Sequence, residues 1–269
     1  MYYQYHFTKL ENREDELLIA LLQDYATGFE QVGDGLLAYT KDKIAFNNIL
    51  SQYNPLEIET TVVEEKNWNE QWEQSFEPVT VYVKDKPYVY IRASFHPHEK
   101  NIEHEIEITP KMSFGTGHHA TTYLMIEEMS EIDFANKRVI DFGTGTGVLA
   151  ILAEINGASS VLAIDNDEWS INNAKENILL NNCSHIGLQN SELTDEENSV
   201  DIILANINLN IITTNLNKIF ALLAPGGILL LSGMLTTDID TISKELDKYG
   251  FNVKYIREKN NWIVVLAEK

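Results

Sequence analysis

The run Asp141-Phe142-Gly143-Thr144-Gly145-Thr146-Gly147 lies between two apolar stretches of different character, and that placement restricts the fold more than any other feature of the chain. Lys137-Arg138-Val139-Ile140 reads as a short buried strand, and residues 148–153 (V-L-A-I-L-A) read as an amphipathic helix. The glycines therefore sit in a strand-to-helix turn. There the backbone must turn tightly and let a ligand approach within van der Waals distance, which a Cβ would obstruct. Residues 161–164 (V-L-A-I) form a second parallel strand that delivers Asp165 to its carboxyl end, where open α/β sheets bind ligands. The spacing is G-x-G-x-G after an acidic residue, not the G-x-G-x-x-G of dinucleotide sites, so the pocket suits a nucleoside that carries no phosphate. The bland reading of Asp165 is a cap for the next helix, a role for which Asp167 and Glu168 also compete.

From residue 137 onward apolar strands alternate with helices, which implies a parallel sheet covered on both faces. The expected strands are 138–142, 160–165, 185–190, 200–205, 226–232, 251–257 and 261–267, the last two joined across Lys259-Asn260 as an antiparallel hairpin. The first sixty-odd residues read as a unit of their own in the order β-α-β-β-α-β, which suggests a ferredoxin-like module. Its elements are 2–8, 13–25, two strands within 28–40 around Gly33-Asp34-Gly35, 42–50 and 56–64. Residues 65–78 read as a linker helix that carries Trp68, Trp72 and Phe76 on one stripe until Pro78 ends it. A hairpin over 79–83 and 88–91 and a strand over 105–108 follow. The expected domains are thus 1–64, the linker 65–78, and 79–269.

The net charge of −21 disfavours extended contact with nucleic-acid phosphates and favours a basic partner. Direct nucleic-acid binding is not expected. No apolar run approaches the ~20 residues of a membrane span, and the first residues lack the basic and apolar regions of a signal peptide, so a cytoplasmic protein is expected. Cys183 is the only cysteine, which excludes disulfide frameworks and multi-cysteine metal sites. His96, His98, His104, His118 and His119 lack a metal-ligand spacing with a carboxylate partner, so no metal is expected. His118 and His119 read as residues that pack or fix the loop beside the pocket.

Two further motifs narrow the class. Ser113-Phe114-Gly115-Thr116-Gly117-His118-His119-Ala120-Thr121-Thr122 precedes the core, and Asn206-Ile207-Asn208-Leu209 follows its fourth strand. D-x-G-x-G-x-G with Asp165 resembles motif I of the Rossmann-like S-adenosylmethionine methyltransferases. F-G-T-G-x-H-x-T-T upstream of it, the Asn after strand four and the W-x-x-x-W linker resemble the methyltransferases of ribosomal protein L-eleven, the PrmA type, over essentially the whole chain. The resemblance implies an α/β fold: a Rossmann-like seven-stranded methyltransferase core with a small α+β ferredoxin-like amino-terminal domain that recognises the ribosomal protein. It implies methyl transfer from S-adenosylmethionine to the α-amine and lysine side chains of that protein.

Carried onto matching positions, the resemblance assigns cofactor contacts to Thr122, Gly143, Asp165 and Asn206, with Gly145 in the same loop. Asp165 offers two acceptor oxygens to the ribose hydroxyls, and Thr122 a hydroxyl beside the methionine end. Asp141 holds either the glycine loop or the methionine ammonium. Asn206 is also the expected catalytic post, accepting from the attacking amine. Residues 114–122 supply a lid or a methionine-end contact. The chain departs from the family at Asn208, where an apolar residue is expected, and at His118, where many members have Thr. The rival readings are a same-fold methyltransferase acting on another protein or a small molecule, and a non-catalytic S-adenosylmethionine-binding module of ribosome assembly.

Overall fold

The computed structural model describes residues 2–8, 14–23, 25–32, 35–51, 57–63, 76–111, 113–194 and 199–269. The chain forms two units, Met1–Glu70 and Gln71–Lys269. The first contains β1 (Tyr2–Thr8), α1 (Glu14–Leu22), β2 (Gly28–Val32), β3 (Gly35–Thr40), α2 (Lys43–Leu50) and β4 (Glu57–Val63). Its strands lie in the order β2-β3-β1-β4, and every neighbouring pair is antiparallel. Alternate residues of the two central strands, Tyr5 and Phe7 with Leu36 and Ala38, meet Leu18 and Leu22 of α1 and Phe46 and Leu50 of α2. The i, i+4 spacing of each helical pair puts it on one face, so one stripe per helix closes the core. Asp42 starts α2 by accepting from the Ile44 and Ala45 amides. Of the linker expected over 65–78, all but 76–78 lies outside the described residues; Phe76 is buried, its ring 5.0 Å from that of His118.

The second unit opens with a small sheet of β5 (Val79–Val83), β6 (Lys86–Arg92) and β7 (His104–Glu107). The turn expected over 84–87 tightens to Lys84-Asp85, whose φ angles of 49° and 63° suit a two-residue hairpin, so β6 begins at Lys86. β7 then pairs with β6 in parallel. His98 Nδ1 lies 2.6 Å from Glu105 Oε1, and the buried Arg92 guanidinium joins Glu105 and Glu107. His104 packs edge-on against Tyr88.

After α3 (Ala120–Met129) come β8 (Arg138–Phe142), α4 (Val148–Ile155), β9 (Ser160–Asp165), α5 (Glu168–Leu180), β10 (Ile186–Asn190), β11 (Val200–Asn206), α6 (Leu209–Leu222), β12 (Leu223–Leu235), α7 (Ile239–Lys248), β13 (Asn252–Lys259) and β14 (Trp262–Glu268). They build a sheet in the order β10-β9-β8-β11-β12-β14-β13, parallel from β10 to β12 and antiparallel thereafter. The chain therefore runs outward from β8 to β10 and returns to β11 on the other side of β8. That reversal opens a crevice beyond the strands' carboxyl ends.

Side chains alternate between two cores: Val139, Val161, Ala163, Ile202 and Leu204 face one, and Ile140, Ile164, Ile203 and Ala205 the other. Both faces are buried, which is why the strands read as unbroken apolar runs. β12 is longer than the expected 226–232, because its pairing with β14 continues past a register shift to Leu235 opposite Trp262. Among the described residues no helix is long and apolar enough to cross a membrane, and no group of three or more His, Cys, Asp or Glu is placed to hold a metal ion.

Candidate active site

A cavity of about 790 Å³ lies beyond the carboxyl ends of the parallel strands. Each strand contributes: Gly143 and Gly145 after β8, Asp165 at the end of β9, Ser191 after β10, Asn206 at the end of β11, and Gly233 in β12.

Gly143, Gly145 and Gly147 all have left-handed backbones, with φ of 78°, 55° and 82°. The tight turn expected of these glycines is present, and the protein's own atoms also require them. A Cβ at Gly143 would collide with Ile207 Cγ2, one at Gly145 with the Phe114 carbonyl oxygen, and one at Gly147 would lie 3.2 Å from Ala174 Cβ. The loop is folded back on β9 by the Gly143 and Thr144 amides, which donate to the Ile164 carbonyl at 2.8 and 3.0 Å.

Asp165 faces the cavity. Its Oδ2 accepts from the Gly145 amide at 2.9 Å and its Oδ1 from the Asp167 amide at 3.0 Å, and each oxygen keeps a further lone pair for a hydroxyl. The cap of α5 is Asp167, which accepts from the Trp169 and Ser170 amides. Asp165 is thereby left to the cavity.

Asp141 does not line the cavity. It is fully buried behind the glycine loop, its Oδ2 accepting from Thr144 Oγ1 at 2.7 Å. Of the two roles open to it, this contact is the loop-holding one. Burial pushes its carboxyl up to about 7, an effect that the Thr144 hydroxyl and the Ala150 amide oppose and the charge of Asp165 reinforces.

Asn206 is buried at the cavity wall. Its Nδ2 donates to Thr122 Oγ1 at 3.4 Å, while Oδ1 is buried without a hydrogen-bond partner. Leaving an acceptor so costs about 1–3 kcal/mol, and a donor from a bound ligand would relieve it. Thr122, itself buried, stands behind Asn206 and not on the cavity, which Thr121 lines instead. Asn208 spends its side-chain oxygen on the cap of α6, accepting from the Ile211 amide at 3.1 Å.

The segment read as a lid or methionine-end contact is stitched to the glycine loop. Thr146 donates from its amide to the Phe114 carbonyl at 3.0 Å and from Oγ1 to the Gly115 carbonyl at 2.9 Å. Asn177 of α5 fastens the other side, accepting from the Thr109 amide and donating to the Thr146 carbonyl, both at 2.8 Å. Asn177→Ala strips partners from both backbone groups at once. It is expected to lower unfolding stability by about 2–3 kcal/mol, checked by urea denaturation.

His119 caps α3, its Nδ1 accepting from the Thr121 amide, so in the neutral ring the proton belongs to Nε2. Its ring packs 4.6 Å from Trp262 and 5.2 Å from Phe114, and all three line the cavity. Trp262 was not among the residues expected at the site. It arrives from the far end of the chain because β14 lies beside β12.

Residues 16–269 match the family described as ribosomal protein L11 methyltransferase (PrmA). The chain belongs to this family. The ribosomal protein L11 methyltransferase of Phocaeicola vulgatus is 38% identical to it over 249 residues, 88% of this chain and 87% of the relative. That of Bacteroides thetaiotaomicron is 36% identical over 278 aligned residues, 98% of this chain and 97% of the relative. A crystal structure of the ribosomal protein L11 methylase of Lactobacillus delbrueckii subsp. bulgaricus superposes with a TM-score of 0.64 at 28% identity, covering 71% of this chain and 98% of that one. The resemblance carried by residues 113–122, the glycine run and Asn206 is thereby borne out, and with it the α/β methyltransferase fold and a methyltransferase activity.

Proposed function

We propose that the protein transfers methyl groups from S-adenosylmethionine to the α-amine and lysine side chains of ribosomal protein L11. The observation that carries this reading is the orphaned Asn206 Oδ1, a buried acceptor at the wall of a cavity whose floor is the glycine loop. The cavity is of a size that suits a nucleoside joined to an amino acid. Asp165 would hold the ribose, the Gly143 and Gly145 backbone would lie against the nucleoside, and Thr122 would act through Asn206. When bound, S-adenosylmethionine supplies an electrophilic methyl group on a sulfonium.

The chain's own task is to present an unprotonated amine to that methyl. Neutralising a lysine at pH 7 costs about 4.6 kcal/mol and an α-amine about 1 kcal/mol, so the α-amine is the easier acceptor. A carboxylate beside the amine would stabilise the ammonium and raise that cost. Among the described residues the lining carboxylates are Asp165, at the end of β9, and Glu192, after β10, whereas the segment that ends and follows β11 is Asn206-Ile207-Asn208, uncharged throughout. Asn206 Oδ1 can orient an amine N–H without fixing a charge, and alignment of the reacting atoms then supplies roughly 7–11 kcal/mol.

The β4-β1-β3-β2 order of the first unit supports a ferredoxin-like domain over 1–64 that recognises the protein substrate, joined by a linker over 65–78 to a methyltransferase domain over 79–269 with a seven-stranded core. The charge of −21 complements a basic ribosomal protein in the cytoplasm. Incubation with methyl-labelled S-adenosylmethionine, purified L11 and, separately, a ribosomal-protein extract tests the reading. Mass spectrometry is expected to find the label on amines of L11; label in a small metabolite, or in another protein alone, would defeat it.

A further inference from the structure

Ile207 touches both halves of the site. On one side its Cγ2 occupies the space that a Cβ on Gly143 would need. On the other its backbone rests on Gly233. A Cβ there would overlap the Ile207 carbonyl oxygen and fall 2.7 Å from its carbonyl carbon and 2.9 Å from its nitrogen. Gly233 has a φ of 90° and marks the register shift between Ser232 and Met234 in the pairing of β12 with β14. The Ile207 amide donates to the neighbouring Ser232 carbonyl at 3.2 Å. One residue thus accounts for two glycines: the bulge of β12 seats its backbone, and the first glycine of the loop seats its side chain.

The side chain is suited to setting a distance. A β-branched residue is stiff at χ1, so Cγ2 is fixed relative to the backbone. The next residue back is Asn206, whose orphaned oxygen is the one proposed to meet the acceptor amine, and the loop under Cγ2 is the one proposed to carry the methyl donor. Resting on the methyl-transfer reading above, we propose that Ile207 is a positioning residue that sets the separation between the glycine loop and the Asn206 amide. Misplacing reacting groups by 1 Å can cost about a hundredfold in rate.

Two substitutions separate this role from simple wall-filling. Ile207→Val keeps the β-branch and Cγ2; Ile207→Leu keeps the volume and moves the branch outward. In single-turnover transfer at saturating donor, Ile207→Val is expected within about threefold of the unsubstituted protein and Ile207→Leu slower by about tenfold or more, with the calorimetric Kd for the donor changed less than about threefold in both. Equal rates for Ile207→Leu and the unsubstituted protein would overturn the proposal, as would a rate loss matched by an equal loss of donor affinity. If the unsubstituted protein itself transfers no methyl to ribosomal protein, the functional reading fails instead.

A thermal cycle without any ligand decides the clamp independently. Gly143→Ala lowers the unfolding midpoint by driving Cβ into Cγ2, and adding Ile207→Ala to it is expected to lower the midpoint by less than Ile207→Ala does alone. Strict additivity would overturn the proposal.

Discussion

Asp165→Ala is expected to weaken S-adenosylmethionine binding about a thousandfold, read by calorimetry. Two charge-assisted hydrogen bonds to ribose hydroxyls are worth about 1.5–3 kcal/mol each, and every 1.4 kcal/mol is a factor of ten, so the range runs from about a hundredfold to about ten thousandfold. The carboxylate has a second task that works in the same direction. It holds the Gly145 amide at 2.9 Å and the Asp167 amide at 3.0 Å, so its loss also releases the turn between the glycine loop and α5. Asp165→Asn, with one acceptor oxygen and no charge, should fall between the two. The control is Asp167→Ala, which removes the cap of α5 and should cost about 1 kcal/mol of stability while leaving donor affinity nearly unchanged. Binding by Asp165→Ala within tenfold of the unsubstituted protein would show that the ribose is held elsewhere.

The contrast between Asp165 and Asp167 shows where the sequence is legible. One carboxylate ends the strand and the other stands two residues on, and helix-capping rules alone leave either free to be the cap. The cavity-facing role of Asp165 was legible because it combines with a glycine run twenty residues earlier, a pairing that local capping cannot explain. The sheet was legible for a similar reason: burial on both faces forces unbroken apolar strands such as 161–164 and 202–205, and polar turns mark their ends.

Contacts between distant segments were not legible. Nothing near Gly143 announces Ile207, and nothing near Gly145 announces Phe114, so the turn and the room for a ligand are legible while the protein atoms that fill the space a Cβ would take are not. Trp262 carries no motif and reaches the site only because β14 inserts next to β12. The segment around Phe114 has the composition of a lid, yet Asn177, sixty-odd residues on, ties it down through Thr109 and Thr146. Asn208 departs from the family pattern, but its side chain serves the start of α6, so of these two amides it is Asn206 whose oxygen is unclaimed.

Asp141 is expected to make the stability of the second unit, and its affinity for a cationic donor, depend on pH. Burial pushes its carboxyl from an ordinary 3.8 up to about 7, because ionisation would place a charge in a fully buried site that the Thr144 hydroxyl and the Ala150 amide only partly offset. The raised value sets the sign. Below the ordinary value the protonated acid contributes its full stability, and between there and about 7 the unfolded chain has lost a proton that the folded one keeps. Stability therefore falls as pH rises, by about 1.4 kcal/mol per unit, and levels off above 7.

Carboxylates held below their usual range, such as Asp167 with its Ser170 hydroxyl, act in the opposite direction, so the quantity to measure is the difference between the protein and Asp141→Asn. Asparagine keeps an acceptor for Thr144 and cannot ionise. Between pH 5.5 and 8 that difference is expected to change by about 2 kcal/mol, roughly four-fifths of it below pH 7, in urea unfolding of the two proteins. A difference constant with pH would mean that Asp141 is ionised throughout. A cationic sulfonium held near the glycine loop would favour the ionised form of Asp141, so its binding would release the proton. Donor affinity should accordingly tighten as pH rises toward 7 in the protein and lose that dependence in Asp141→Asn, which links the buried acid under the glycines to the charge of the molecule they are proposed to hold.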